Sequence, residues 1–226
     1  MNKKDLKLAA RKSLKGKWRN SSVVFLVRMV IITICLFIMR NTKYQFLGII
    51  SSFLIPSPLS IGLYGYYLSI SRGKFSRDMQ LFEPFIFFWN SVTLVFFRFI
   101  KIFFHSLLFI VPGIIVRYEL SMAYFIINDN PGLKAKNALK ASKILMKKHK
   151  YELFLIEMSF IHLFLLSIAT LGLFWPFFKS YLLVTRAIFY DTIKNEIILV
   201  SDIKNKSKNN YKILHKKNKN YHDYNN

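Results

Sequence analysis

Long apolar runs alternate with short basic segments along most of this chain. Several runs approach the roughly 20 residues that an α-helix needs to cross the ~30 Å hydrocarbon core of a bilayer. The pattern predicts six membrane segments, at residues 22–39, 46–70, 87–111, 114–127, 152–173 and 174–191. We therefore expect an all-α fold: a polytopic helical membrane protein whose single membrane domain covers residues 1–193.

The N-terminal segment is basic and periodic. Residues 1–20 carry eight Lys or Arg and one acid, and Leu6, Ala10 and Leu14 recur at helical spacing. This spacing predicts an amphipathic helix over residues 3–19 that lies on the cytoplasmic membrane surface. No small-x-small cleavage site follows the first apolar run, so we expect an uncleaved span rather than a secretory signal.

A second basic amphipathic helix, also cytoplasmic and interfacial, is predicted over residues 131–149. Asn130 precedes Pro131, which is typical of a helix start, because Asn caps backbone N–H groups and Pro suits the first helical position. The lysines on one face of this helix are its predicted contacts with anionic lipid headgroups: Lys136, Lys140, Lys143, Lys147 and Lys150. The alternative interpretation is a solvated face packed on a soluble core.

The third apolar segment carries charge. Arg98, Lys101 and His105 stand three and four residues apart, hence on one helical face. Because a cation facing acyl chains is costly, these side chains should face a cavity, headgroups or an acid. The candidate acidic partners are Glu119 and Glu157.

Two interpretations fit the boundaries of the third and fourth segments. Either residues 87–111 form the third span, or residues 82–101 form a tilted or interfacial helix and the true span begins near Ile102. Residues 114–127 are too short for the ~30 Å core at ~1.5 Å per residue. They form either a half-span or the end of one long kinked helix from Ile102, with the bend at Pro112 and Gly113.

The charge balance predicts the topology. The chain has 34 Lys and Arg against 11 Asp and Glu, a net charge of +23. In a soluble protein this excess would suggest nucleic acid, but here the cations fall between and beyond the apolar runs. Six passes place every strongly basic segment on the cytoplasmic side, including a flexible Lys- and Asn-rich tail at residues 194–226. Both termini are therefore predicted to be cytoplasmic, and no specific nucleic acid is expected.

Few residues are arranged for chemistry. The chain has no HExxH, no GxSxG and no Gly-rich phosphate loop, and its only cysteine, Cys35, excludes an intramolecular disulfide. Glu157 is expected to form a salt bridge with Lys179 across the last hairpin. We expect no enzyme activity, no metal site and no cofactor.

Several short motifs occur together along the chain. They are AxxxLKGxW at residues 10–18, PGII at 112–115, DNP at 129–131, ALxxSxxxMK at 138–147 and TLG at 170–172. In combination they resemble a family of bacterial integral membrane proteins catalogued as domain of unknown function 975. Lys148 and Ser180 depart from the family pattern, which has Gly and Pro there. The resemblance implies a multi-pass protein of a bacterial plasma membrane, and it implies no activity.

These features predict a non-enzymatic accessory or structural envelope protein. Its expected partners are membrane lipids with anionic headgroups and, beyond them, an unidentified membrane protein. The alternative is a subunit of a small-solute or lipid transporter, in which Pro56 and Pro58 break a helix and polar side chains line a path. A water-filled cavity that reaches Arg98 and Glu119 would favour transport, whereas a packed bundle with these charges paired would favour the envelope protein.

Overall fold

The computed structural model describes residues 3–41, 53–74 and 78–196, and the regular structure in these ranges is helical throughout. The helices are α1 (Lys3–Leu14), α2 (Trp18–Asn41), α3 (Pro56–Ser71), α4 (Phe88–Leu108), α5 (Ile110–Glu119), α6 (Ala123–Asp129), α7 (Ala135–Leu145), α8 (Lys150–Met158), α9 (Ile161–Ala169) and α10 (residues 175–196). Two short 3-10 turns, Asp78–Leu81 and Glu83–Phe85, precede α4. The predicted all-α class is confirmed for the described residues.

Three of the described segments are long and apolar enough to cross a membrane: Trp18–Ile38, Phe88–Leu108 and Ile110–Asp129. A fourth candidate is the pair of α8 and α9, which is bent by 40° at its break. These helices support a membrane protein by their length and composition. The six predicted spans are not confirmed, and the charged helix α10 is not among the candidates.

Helix α1 packs one face on the protein. Leu6, Ala10 and Leu14 are buried, and most of its basic side chains are exposed. The helix ends at Leu14 rather than at residue 19, because Gly16 adopts a φ of +78° that turns the chain into α2.

Helix α3 lies at the centre of the bundle and runs antiparallel to α2. Of its 16 residues, 10 are buried. The Tyr67 hydroxyl donates to the Ser21 carbonyl at 3.0 Å, and the Arg28 guanidinium donates to Ser60 Oγ at 3.0 Å. Arg28 therefore faces α3 rather than acyl chains.

The second predicted span is interrupted at its prolines. Residues 53 and 54 are helical, Ile55 is not, and α3 starts at Pro56. Pro56 and Pro58 stand in the first turn of α3, where a missing backbone N–H removes no helical hydrogen bond. The earlier part of this span, residues 46–52, lies outside the described residues.

A helical hairpin joins α4 and α5, and its turn is at Phe109. This residue is extended, with φ −157° and ψ 148°, so the chain leaves α4 and folds back on it. Gly113 packs on Ser106, which an added Cβ would overlap. Pro112 lies in the first turn of α5 and does not bend the chain. The predicted bend at Pro112 and the long kinked helix from Ile102 are therefore wrong.

The boundaries of the third and fourth segments also differ from their predictions. Helix α4 is continuous from Phe88 to Leu108, so a separate tilted helix over residues 82–101 is wrong. Helices α5 and α6 together give the candidate span Ile110–Asp129, which is 20 residues long. The fourth segment is thus longer than residues 114–127, because it begins directly at the Phe109 turn.

The last predicted hairpin is not formed by two full spans. Helices α8 and α9 have nine residues each and are interrupted at Ser159 and Phe160. A groove of about 710 Å³ is lined by the start of α2 and by residues in the range 171–177. Six passes would put the turn at residues 170–174 on the outer side, far from the start of α2. The groove brings them together, and the described helices do not confirm six complete passes.

Contacts of α1 show that the α8–α9 break lies beside this helix. Lys7 Nζ donates to the Ser159 carbonyl at 2.7 Å and lies 4.5 Å from the centroid of the Phe160 ring. The Tyr181 hydroxyl donates to the Lys7 carbonyl at 3.1 Å. Burial lowers the pKa of Lys7 from its ordinary value.

By its contacts the chain divides into two units, Met1–Tyr190 and Asp191–Asn226. In the second unit, residues 191–196 are described and are helical. The predicted domain boundary at residue 193 falls inside α10. The rest of the predicted tail, residues 197–226, lies outside the described residues.

Candidate functional site

The lysine helix α7 is held at its start by a side chain from α4. Asn90 Oδ1 accepts the Ala135 N–H at 2.8 Å, and Asn90 Nδ2 donates to the Leu133 carbonyl at 2.8 Å. Lys134 occupies the N-cap position and makes no side-chain cap. Asn130 is the C-cap residue of α6, so its predicted role as the cap of the lysine helix is wrong. Sequence reasoning missed Asn90, which is 45 residues away from the backbone group that it caps.

The apolar face of α7 packs on protein. Ala138 and Leu145 are buried against the bundle. Ser142 Oγ donates to the Glu119 carbonyl at 2.8 Å and accepts the Met122 N–H at 3.2 Å. An interfacial helix inserts its apolar face among acyl chains. Helix α7 cannot insert in this way, because its apolar side chains already pack on the bundle.

The lysines lie on the opposite face of α7 and just beyond its end. Four of the five predicted headgroup contacts are exposed: Lys136, Lys140, Lys143 and Lys147. Lys136 Nζ lies 5.0 Å from the centroid of the Phe97 ring, and Ile144 is exposed beside the lysines. This lysine face presents four ammonium groups on one side of the protein.

Glu119 joins the end of α5 to the base of the lysine face. Its carboxylate accepts a hydrogen bond from Lys150 Nζ at 2.8 Å and lies 3.5 Å from Lys143 Nζ. Lys150, the fifth predicted headgroup contact, is half-buried and is engaged by this carboxylate. Glu119 is therefore occupied by lysines and is not the partner of Arg98.

A second group of polar side chains lies inside the bundle, around Glu157. The Glu157 carboxylate accepts hydrogen bonds from the Arg186 guanidinium and, at 3.0 Å, from the Tyr118 hydroxyl. The side chains of both Glu157 and Arg186 are only 12% exposed. Arg186 also donates to the Tyr64 hydroxyl at 3.4 Å. This cluster links α3, α5, α8 and α10.

The predicted salt bridge between Glu157 and Lys179 is wrong. Lys179 Nζ lies 4.8 Å from the centroid of the Trp175 ring and 5.4 Å from that of Phe178. Lys179 and Arg186 are seven residues apart, so they share one face of α10. The spacing of residues along α10 therefore could not show which of these two cations pairs with Glu157.

Arg98 is directed towards an aromatic ring. Its guanidinium carbon lies 4.5 Å from the centroid of the Tyr124 ring, a cation–π contact. Its predicted acidic partners, Glu119 and Glu157, are paired with Lys150 and Arg186. The predicted ion pair of Arg98 with either acid is not formed.

The other two polar side chains on the Arg98 face lie at the exposed end of α4. Lys101 and His105 are exposed, and His105 Nδ1 lies 2.7 Å from the Lys101 carbonyl. The large apolar side chains exposed in the same region are Phe99, Phe103, Phe104, Leu107 and Leu108. Such an apolar surface on a candidate membrane span is compatible with contact with acyl chains.

An ion pair that the sequence did not predict joins the ends of α3 and α6. Arg72 donates to both carboxylate oxygens of Asp129, at 2.6 and 3.0 Å, and the Tyr190 hydroxyl donates to the same carboxylate at 2.9 Å. The Asp129 side chain is 8% exposed. A polar cavity of about 360 Å³ beside it is also lined by Lys74 and Glu83. Bidentate pairing fixes these two helix ends relative to each other.

The described residues contain no group of three or more His, Cys, Asp or Glu that could hold a metal ion.

No curated protein and no solved structure matches the chain. Residues 90–196 match the model of a family described as protein of unknown function (DUF975). The matched region contains Asn90, the lysine face and the Glu119 and Glu157 ion pairs. The resemblance inferred from the motifs is thus confirmed: over residues 90–196 the chain matches the DUF975 family, whose function is unknown.

Proposed function

We propose that this protein is a non-enzymatic accessory protein of a bacterial plasma membrane that binds anionic lipid headgroups through the lysine face of α7. The observation that carries the proposal is the exposure of the four lysines, while the apolar side of the same helix packs on the bundle. A lysine near an anionic leaflet contributes about 1 kcal/mol, so Lys136, Lys140 and Lys147 give a preference of about 3 kcal/mol for anionic over neutral headgroups, and Lys143, which pairs with Glu119, adds less. The preference should fall with salt, because exposed charges are screened.

In this proposal the membrane is crossed four times, by α2, α3, α4 and the α5–α6 segment. Contacts between helix ends support this order. Lys17 Nζ, before α2, donates to the Lys74 carbonyl, after α3, at 3.4 Å. Arg72 and Asp129 join the end of α3 to the end of α6. Four passes keep both termini on the cytoplasmic side, where basic segments are favoured.

Helices α7 to α10 then lie against the cytoplasmic side of the bundle. The contact of Lys7 with the Ser159 carbonyl places the α8–α9 break beside α1. The groove between the start of α2 and residues 171–177 supports the same side for the following turn. We propose that the lysine face lies at the same membrane surface as α1 and this turn.

The arrangement of the acids favours this function over a transport path. Glu119 is paired with Lys150, Glu157 is paired with Arg186, and Arg98 stacks on Tyr124. A path for solutes would need such groups to face a continuous aqueous cavity.

A fluorescent probe beside the lysines tests the proposed function. In a Cys35→Ser background, Ile144→Cys would carry an environment-sensitive dye in the full-length protein, reconstituted in nanodiscs. Replacing phosphatidylcholine by phosphatidylglycerol should shift the dye emission to the blue, because the lysine face is drawn to the anionic surface. Salt at 0.5 M should reverse most of the shift.

The matched variants carry equal changes of charge. Changing Lys136, Lys140, Lys143 and Lys147 to Gln should abolish the lipid-dependent shift, with little change in helix propensity. Changing Lys204, Lys206, Lys208 and Lys212 to Gln removes the same charge from the C-terminal segment and should leave the shift intact. An equal loss in both variants would mean that net charge, and not α7, attracts the lipid.

A further inference from the structure

The interior of the bundle holds more cations than acids. Arg28 on α2 donates to Ser60 of α3, Arg186 on α10 donates to Tyr64 of α3, and Arg98 on α4 stacks on Tyr124, whose ring packs on Tyr64. Glu157 pairs with Arg186. In the part of the chain that the structure describes, no carboxylate forms an ion pair with Arg28 or Arg98. Two guanidinium groups therefore lack a counter-charge among the described residues.

Of the 11 Asp and Glu in the sequence, Glu157 and three others are engaged by other side chains. Glu119, Asp129 and Glu152 are engaged by Lys150, Arg72 and His149 respectively. Outside the described residues, the segments at 1–2, 42–52 and 75–77 contain no Asp or Glu, and residues 197–226 contain Asp202 and Asp223. An external anion is thus the most direct source of the missing charge, because separate buried cations are costly in a membrane protein.

The two arginines also have N–H donors that are not used in hydrogen bonds. The Nε atoms of Arg28 and Arg98 are buried and have no hydrogen-bond partner. Arg28 uses one terminal nitrogen for Ser60 Oγ. A guanidinium group carries five N–H donors in a planar fork that matches the oxygens of a phosphate group.

The rings of Tyr64 and Tyr124 pack on each other beside these arginines. Their ring centroids are 5.0 Å apart, with the rings nearly perpendicular at 79°. Arg98 stacks on Tyr124, and Arg28 donates to Ser60, which lies one helical turn before Tyr64 on α3. Arg28, Tyr64 and Arg98 are partly exposed.

We propose that Arg28 and Arg98, with Tyr64 and Tyr124, bind a phosphate group inside the bundle. The group belongs either to a lipid headgroup or to free inorganic phosphate. The site goes beyond the function proposed for α7, since it uses none of the surface lysines. Phosphate bound there neutralises two guanidinium groups and stabilises the folded protein.

Thermal unfolding of the full-length protein in a phosphorus-free maltoside detergent tests this site. At constant ionic strength, chloride would be exchanged for inorganic phosphate in one arm, and phosphatidylglycerol would be added in the other. Saturation should raise the melting temperature by about 3 °C or more. A rise with inorganic phosphate identifies free phosphate as a ligand, and a rise with phosphatidylglycerol alone identifies the headgroup.

Two sets of variants complete the experiment. Arg28→Gln combined with Arg98→Gln should lose the rise, Arg98→Lys should weaken the apparent affinity about tenfold by losing the planar fork, and Arg40→Gln, at an exposed arginine, should keep it. The protein with four Gln on α7 should also keep the rise, which separates this site from the lysine face. The proposal is overturned if neither anion raises the melting temperature of the wild type, or if the Arg28 and Arg98 variants respond as the wild type does.

Discussion

Replacing Glu157 by Ala is expected to lower the free energy of unfolding by about 3–5 kcal/mol. The change leaves the Arg186 guanidinium, whose side chain is 12% exposed, without its carboxylate, and it removes the acceptor of the Tyr118 hydroxyl. At about 2–4 °C per kcal/mol, the melting temperature in detergent should fall by roughly 10 °C.

An acid on the same helix provides the control. Glu152 is 59% exposed and pairs with His149, so Glu152→Ala should change stability by no more than about 0.5 kcal/mol. Combining Glu157→Leu with Arg186→Leu should recover much of the loss, because both buried charges are then removed. A Glu157→Ala protein as stable as the wild type would mean that Arg186 reaches water or another acid.

Gly62→Ala is the second change with a large expected effect. Gly62 on α3 lies against the backbone of Leu81, in the 3-10 turn before α4, and an added Cβ would overlap the Leu81 carbonyl group. Backbone atoms cannot move aside as the end of a side chain can, so we expect a loss of about 3 kcal/mol, the upper end for overpacking. Denaturant unfolding, followed by tryptophan fluorescence, measures this loss.

Gly132→Ala is the matched control for this substitution. An added Cβ at Gly132 has no neighbour within 4 Å, so the same chemical change should be neutral or slightly stabilising. If Gly62→Ala were equally neutral, the close approach of α3 to Leu81 would be contradicted.

Hydrophobic patterning predicted the helices that follow from local runs or local spacing of apolar residues. The spans at α2 and α4 follow from runs of apolar residues, since every backbone polar group in a bilayer must be satisfied within a helix. The shared face of Leu6, Ala10 and Leu14 on α1 follows from helical spacing, but it packs on protein, and the predicted contact with the membrane surface is not confirmed. Neither prediction needs knowledge of a distant residue.

The pattern failed where packing decides the outcome. Hydropathy did not show that the chain reverses at Phe109, because the apolar run continues through it. It did not show that the fifth predicted segment is interrupted at Ser159 and Phe160, where no Gly or Pro stands. These features depend on contacts between residues that are far apart in the sequence.

Partners in the site could not be inferred for the same reason. The choice of Arg186 over Lys179 for Glu157, and the cap of α7 by Asn90, join positions 29 and 45 residues apart. The sequence placed Asn130 and Pro131 at the start of α7 by local chemistry alone. In the structure, however, Asn130 ends α6 and α7 begins only at Ala135.

The grouping of the lysine face, α1 and the turn at residues 170–174 on the cytoplasmic side is tested most directly by cysteine labelling. In a Cys35→Ser background, Leu171→Cys, at a residue 98% exposed, would be treated with a membrane-impermeant maleimide on intact cells. Lys147→Cys serves as the inner reference and Phe109→Cys as the outer one. We expect Leu171→Cys to react only after the membrane is opened, as Lys147→Cys does. Reaction of Leu171→Cys on intact cells would place the turn outside and contradict the four-pass arrangement on which the proposed lipid contact rests.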